Sequence, residues 1–107
     1  MADTITRKAL RKRLEHGDHI VLVDTLPGID YTYAHLPGAL NIPLRELEAR
    51  LSELPRDHEI VAYCRGPYCV LSFEAVAALR TKGFKVRRLE EGFPEWKAAG
   101  LPIEAAA

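Results

Sequence analysis

The chain predicts an α/β fold with a central, mainly parallel sheet of four or five strands. Short β-branched apolar runs alternate with stretches of helical periodicity, glycine and proline punctuate the joins, and the composition is that of an ordinary globular domain. Of the 107 residues, 48% are hydrophobic and 28% charged. A chain of this length removes roughly 65% of its unfolded surface from water, which suffices for one core and not for two, so residues 1–107 are expected to form a single domain.

The elements follow in order. Ile5, Ala9, Leu10 and Leu14 recur at helical spacing and Gly17 stops the pattern, giving a helix over 5–16. His19 to Asp24 is an apolar run closed by a carboxylate, as in a strand covered on both faces. The Pro27-Gly28 and Pro37-Gly38 pairs bracket an irregular stretch holding at most a turn of helix at 30–35, and residues 39–43 read as a short strand. Leu44, Leu47, Leu51 and Leu54 step by three and four, predicting an amphipathic helix that ends before Pro55. Its polar face, with Arg45, Glu46, Glu48, Arg50 and Glu53, is read as solvated. Glu59 to Tyr63 is a second buried strand running directly into Cys64. Val70 to Lys82 is an apolar-rich helix stopped by Gly83, Phe84 to Leu89 a further strand, and a last short helix starts within 91–96 and ends at Gly100.

Fifteen basic residues balance fifteen acidic ones, so no overall positive field draws the protein to phosphate backbones or anionic lipid, and neither nucleic acid nor membrane is an expected partner. The basic cluster Lys82, Lys85, Arg87 and Arg88 reads as a solvated helix end and an exposed strand face, offset by Glu90 and Glu91. Nothing resembles a signal peptide or a transmembrane run, and a cytoplasmic setting is expected. Two cysteines in a reducing compartment are more often free thiols, ligands or catalysts than a structural staple.

Cys64 is the residue expected to carry the chemistry. In an open parallel sheet, ligands sit beyond the carboxyl ends of the strands, where a loop leads into the next helix, and Cys64 falls there. The backbone N–H groups of Arg65, Gly66, Tyr68, Cys69 and Val70 and the start of the following helix are expected to curl around its sulfur as a binding ring. Pro67 brings no donor but stiffens the loop. In such a setting a thiol pKa falls from near 8.5 toward roughly 3.5 to 7.5, giving a nucleophilic thiolate. A cysteine phosphatase would need an arginine where this chain has Val70, to grip the phosphoryl oxygens bidentately. A smaller oxidised-sulfur substrate, retained as a persulfide, fits better.

Four landmarks in order resemble the single-domain rhodaneses, the thiosulfate sulfurtransferase-like family. They are Val23-Asp24, the stretch His35-Leu36-Pro37-Gly38-Ala39-Leu40-Asn41-Ile42-Pro43, Tyr63-Cys64-Arg65 with its loop, and Gly92 followed by Trp96. The resemblance implies a three-layer α/β/α fold, Cys64 as catalytic persulfide carrier, and a ping-pong cycle. A donor such as thiosulfate loads the sulfur, and cyanide, a thiol or a protein acceptor takes it. No cofactor enters that scheme. The loop 65–69 is most similar to rhodanese domains fused behind helix-turn-helix repressors of the arsenic-repressor type, but no such motif fits before Asp24, so DNA binding is not carried over. Where many members have an arginine after the first aspartate, this chain has Thr25 and Leu26, and Ala34 replaces a usual glycine. Both departures bear on local salt bridges rather than the loop.

Other assignments stay open. Cys64 could be a small buried hydrophobe, and Cys69 either a resolving thiol or a packing residue. A thiol-disulfide or arsenate reductase using Cys64 and Cys69, and a non-enzymatic persulfide relay, are the competing functions. His35 and Asp24 are read as loop anchors, Arg65 as a steering or a solvated cation, and Tyr68 as a donor or a shield. Trp96 with Phe93 is expected to pack the last helix. The four histidines look scattered and no metal site is expected.

Overall fold

The computed structural model describes residues 4–26, 28, 35–64, 70–90, 93–101 and 103. Five parallel strands form one sheet in the order β1-β5-β4-β2-β3, with β1 at Thr4–Ile5, β2 at Ile20–Asp24, β3 at Leu40–Asn41, β4 at Glu59–Tyr63 and β5 at Val86–Leu89. Helix α1 spans Arg7–Glu15, α2 Val70–Thr81 and α3 Phe93–Ala98. Among the described residues, no helix is long and apolar enough to cross a membrane.

The side-chain alternation of the strands builds the layers. Val23, Ile60, Ala62 and Val86 face one side and pack with Ala75, Val76 and Leu79 of α2 and with Leu47 and Leu54. Leu22, Val61, Tyr63 and Leu89 face the other and meet Leu10 of α1, Trp96 of α3 and Leu101. Trp96 is 4% exposed, so the last helix is pinned through it, while the Phe93 side chain lies outside the described residues.

The helix expected over 5–16 starts later. Ile5 is buried in a two-residue edge strand whose register puts Thr4 beside Arg88 and Ile5 beside Leu89. Thr6 then caps α1, its Oγ1 accepting from the Ala9 N–H at 3.1 Å. The helix expected from Leu44 to Leu54 is two 3-10 helices, Leu44–Glu46 and Glu48–Glu53. The leucine spacing explains the substitution: Leu44 to Leu47 and Leu51 to Leu54 are steps of three, the 3-10 period, and the step of four spans the join. Arg50, at φ −116° and ψ 16°, breaks the winding and donates from Nη1 to the Asn41 carbonyl at 2.9 Å.

Helix α2 ends as its sequence predicts. Gly83 takes φ 88°, its N–H reaches the Arg80 carbonyl at 3.0 Å, and the Phe84 N–H reaches that of Leu79 at 3.1 Å. The next strand is not an exposed basic face. Arg88 is buried with its guanidinium 3.9 Å from the Phe73 ring centroid, and Arg87 Nε lies 3.0 Å from Glu59. Phe73 belongs to α2, so the Arg88 cation of β5 packs on a ring presented by the helix that covers this face of the sheet.

Candidate functional site

The chain runs from β2 outward to β3, then crosses back to lay β4 on the other side of β2. The strand order reverses between β2 and β4, which opens a crevice beyond their carboxyl ends. In that register Asp24 stands beside Tyr63, and Cys64 is the first residue past β4. The two strands adjoining the crevice are therefore the one that ends in Asp24 and the one that leads into Cys64.

Main-chain contacts fix this rim. The Thr25 N–H and Oγ1 both donate to the Tyr63 carbonyl, at 3.1 and 3.0 Å. Asp24 Oδ1 accepts from the Leu26 N–H at 2.8 Å, turning the chain directly after β2. The Asp24 carbonyl accepts from the Ile42 N–H and from Asn41 Nδ2, and the same amide donates to the Leu26 carbonyl at 2.8 Å. Asn41 thus ties together the segment directly after β2. The Tyr63 phenol, fully buried, accepts from the Leu36 N–H at 3.0 Å. Leu36 opens a tight turn closed by the Ala39 N–H on the Leu36 carbonyl, with Pro37 at the first central position and Gly38 at φ 75° at the second. The histidine-leucine-proline-glycine stretch is in this way hung on the residue that precedes Cys64, and His35 beside it is buried.

Cys64 is 1% exposed and disulfide-bonded. The other cysteine of the sequence is Cys69. Arg65, Gly66, Tyr68 and Cys69 lie outside the described residues, and Val70 is the first residue of α2. A cavity of about 300 Å³ adjoins this rim, lined by Thr25, Pro43, Leu44, Arg45 and Leu71. Tyr63, Thr25 and Asn41 are positioning residues that sequence reading did not single out as such. Tyr63 carried a signal, since a tyrosine on a buried strand needs a partner for its hydroxyl. Arg45, read as part of a solvated face, is exposed and also lines the cavity.

Among the described residues, no group of three or more His, Cys, Asp or Glu side chains could hold a metal ion. His19 and His58 are not scattered, however. Their ring centroids lie 5.5 Å apart at the opposite rim of the sheet, where each precedes a central strand.

The Rhodanese-like domain family matches residues 6–99. The chain is 50% identical over 105 residues to an HTH-type transcriptional regulator of Mycobacterium tuberculosis, covering 98% of this chain but only 46% of that protein's length. It is 33% identical to a sulfurtransferase of Allochromatium vinosum, over 98% of this chain and 97% of that one. The solution structure of the rhodanese-like domain of an Anabaena protein superposes with a TM-score of 0.85 at 30% identity, covering 98% of this chain and 80% of that one. Family and relatives together support sulfur transfer in general, and the all-parallel sheet with its two helical layers is the architecture of the solved neighbours. On these grounds the chain belongs to the rhodanese-like domain family.

Proposed function

We propose that the chain is a thiosulfate-type sulfurtransferase whose catalytic group is Cys64. The observation that carries the reading is the place of Cys64, first past β4 at the β2/β4 crevice and six positions before Val70, where α2 starts. A helix of twelve residues begins there, and the first turn of a helix directs its N–H groups and the positive end of its dipole outward along the axis. Those donors, with the amides of Arg65, Gly66, Tyr68, Cys69 and Val70, would favour an anion on the sulfur and on a second sulfur attached to it.

The reaction balances without an oxidant. The Cys64 thiolate attacks the outer sulfur of thiosulfate, the sulfur–sulfur bond of the donor breaks, and sulfite leaves with the electron pair. Cyanide or a thiolate then attacks the outer sulfur of the persulfide and returns the pair to Cys64. Because Cys64 is held as a disulfide, a dithiol reductant must act before the first turnover. Intact mass of the reduced, reductant-free protein tests the proposal. Thiosulfate should add one sulfur atom to the wild type and none to Cys64→Ser. Equal loading of the serine variant would remove Cys64 from its role.

The disulfide at Cys64 favours a second reading, in which Cys69 is a resolving thiol. Its thiol would attack Cys64 of the persulfide, releasing hydrosulfide and leaving a Cys64–Cys69 disulfide. In that case Cys69→Ser holds its sulfur longer than the wild type after loading. An unchanged lifetime of the persulfide would return Cys69 to a packing role.

A further inference from the structure

Resting on the sulfur-transfer reading above, we infer that the cavity on the Thr25 side of the carboxyl rim seats the sulfur acceptor, an organic thiol with an apolar body and a carboxylate, and that Arg45 selects it. The cavity adjoins the β2/β4 crevice: its Thr25 wall is hydrogen-bonded to the carbonyl of Tyr63, the residue before Cys64, and its Leu71 wall is the second residue of α2. Pro43, Leu44 and Leu71 present carbon, and the Thr25 hydroxyl proton is committed to the Tyr63 carbonyl. Thiosulfate and cyanide have no apolar part for such walls to hold. At about 300 Å³ the space suits a small organic molecule.

Arg45 is the polar exception. It is exposed and, among the described residues, has no hydrogen-bond or ion-pair partner, whereas Arg50 five residues on is gripped by both Glu46 and Glu53. A free guanidinium at the edge of an apolar cavity matches a carboxylate, which it can hold bidentately. In the transfer step the acceptor's thiolate attacks the outer sulfur of the Cys64 persulfide. The sulfur–sulfur bond breaks, Cys64 recovers its thiolate, and an organic persulfide anion leaves.

Two measurements on the reduced full chain test this. First, para-(methylthio)benzoate, which cannot react, should shift the methyl resonances of Leu44 and Leu71 on titration. Unshifted methyls would overturn the cavity as the acceptor's seat, whatever the chemistry at Cys64. Second, after thiosulfate loading, the preference in kcat/KM for para-mercaptobenzoate over benzenethiol should fall by about 2- to 5-fold in Arg45→Ala and recover in Arg45→Lys. A preference that Arg45→Ala leaves unchanged would overturn the role of Arg45. Failure of Cys64 to load at all would sink the sulfur-transfer reading instead, and the binding titration would still decide the cavity.

Discussion

At the amino ends of the central strands the contacts run between charged side chains; at their carboxyl ends they run to main-chain atoms. Glu59, the first residue of β4, is paired with Arg13 of α1 and lies 3.0 Å from Arg87 of β5, and Arg13 also donates to Asp18 at 2.9 Å. These groups keep 14 to 41% of their side-chain surface in solvent. At the other rim, Thr25, Asn41 and Tyr63 bind carbonyls and an N–H at 2.8 to 3.2 Å, and Thr25 and Tyr63 are buried. Long charged side chains tolerate small displacements of the strands they join. Buried hydroxyls bound to main-chain atoms do not, and this is the rim where Cys64 must be held.

Substitutions at the two rims should therefore differ in size and in kind. The largest effect is expected from Tyr63→Phe. It leaves the Leu36 N–H buried without its acceptor, at a cost of about 1 to 3 kcal/mol, and loosens the turn before Ala39. Denaturant unfolding should show the loss, and single-turnover sulfur loading should slow as well. Thr25→Val removes one donor and keeps the shape. Its expected cost is about 1 kcal/mol, and the Thr25 N–H still holds the Tyr63 carbonyl. Parallel losses in loading and stability at both positions would tie the carboxyl rim to the chemistry; a stability loss with unchanged loading would cut that tie.

Glu59→Gln at the amino rim is expected to cost about 1 kcal/mol in unfolding and to leave sulfur loading at the wild-type rate. A slowed transfer there would erase the distinction between the rims. The smallest effect belongs to the exposed Glu53, whose carboxyl is held below its ordinary range by hydrogen bonds from Arg50 and, after burial acting the other way, by that charge. Since the folded-state value is the lower one, the pair's contribution is fully present above the ordinary glutamate pKa. It fades as pH falls through the lowered one. Thermal unfolding of Glu53→Gln should differ slightly from wild type at neutral pH, and the difference should vanish in acid.

The same contrast explains what could be read from sequence. The β4–Cys64 junction was legible because an uninterrupted apolar run ending at a cysteine has one sensible place in a parallel sheet. The Gly83 stop and the Pro37-Gly38 turn were legible because local backbone geometry demands those residues. Strand β1 was not, since two residues become a strand only by pairing with β5 some eighty positions away. Leucines spaced by three and four serve an α-helix and a 3-10 helix alike, so the local winding near Arg50 waited on a bond to Asn41. Arg88 looked solvated because charge is usually outside, and only the fold brings Phe73 over it. Arg65, Gly66, Tyr68 and Cys69 were named from their place in sequence between the apolar run of β4 and the helix that follows, and they lie outside the described residues. The hydroxyl of Thr25 and the free guanidinium of Arg45 matter through neighbours distant in sequence, which no local pattern displays.

The most direct test of the central claim is the stoichiometry of thiocyanate released when cyanide is added to the reduced, thiosulfate-loaded and desalted chain. One thiocyanate per chain from the wild type and none from Cys64→Ser is the predicted result. Release from the serine variant, or none from the wild type, would contradict a persulfide on Cys64.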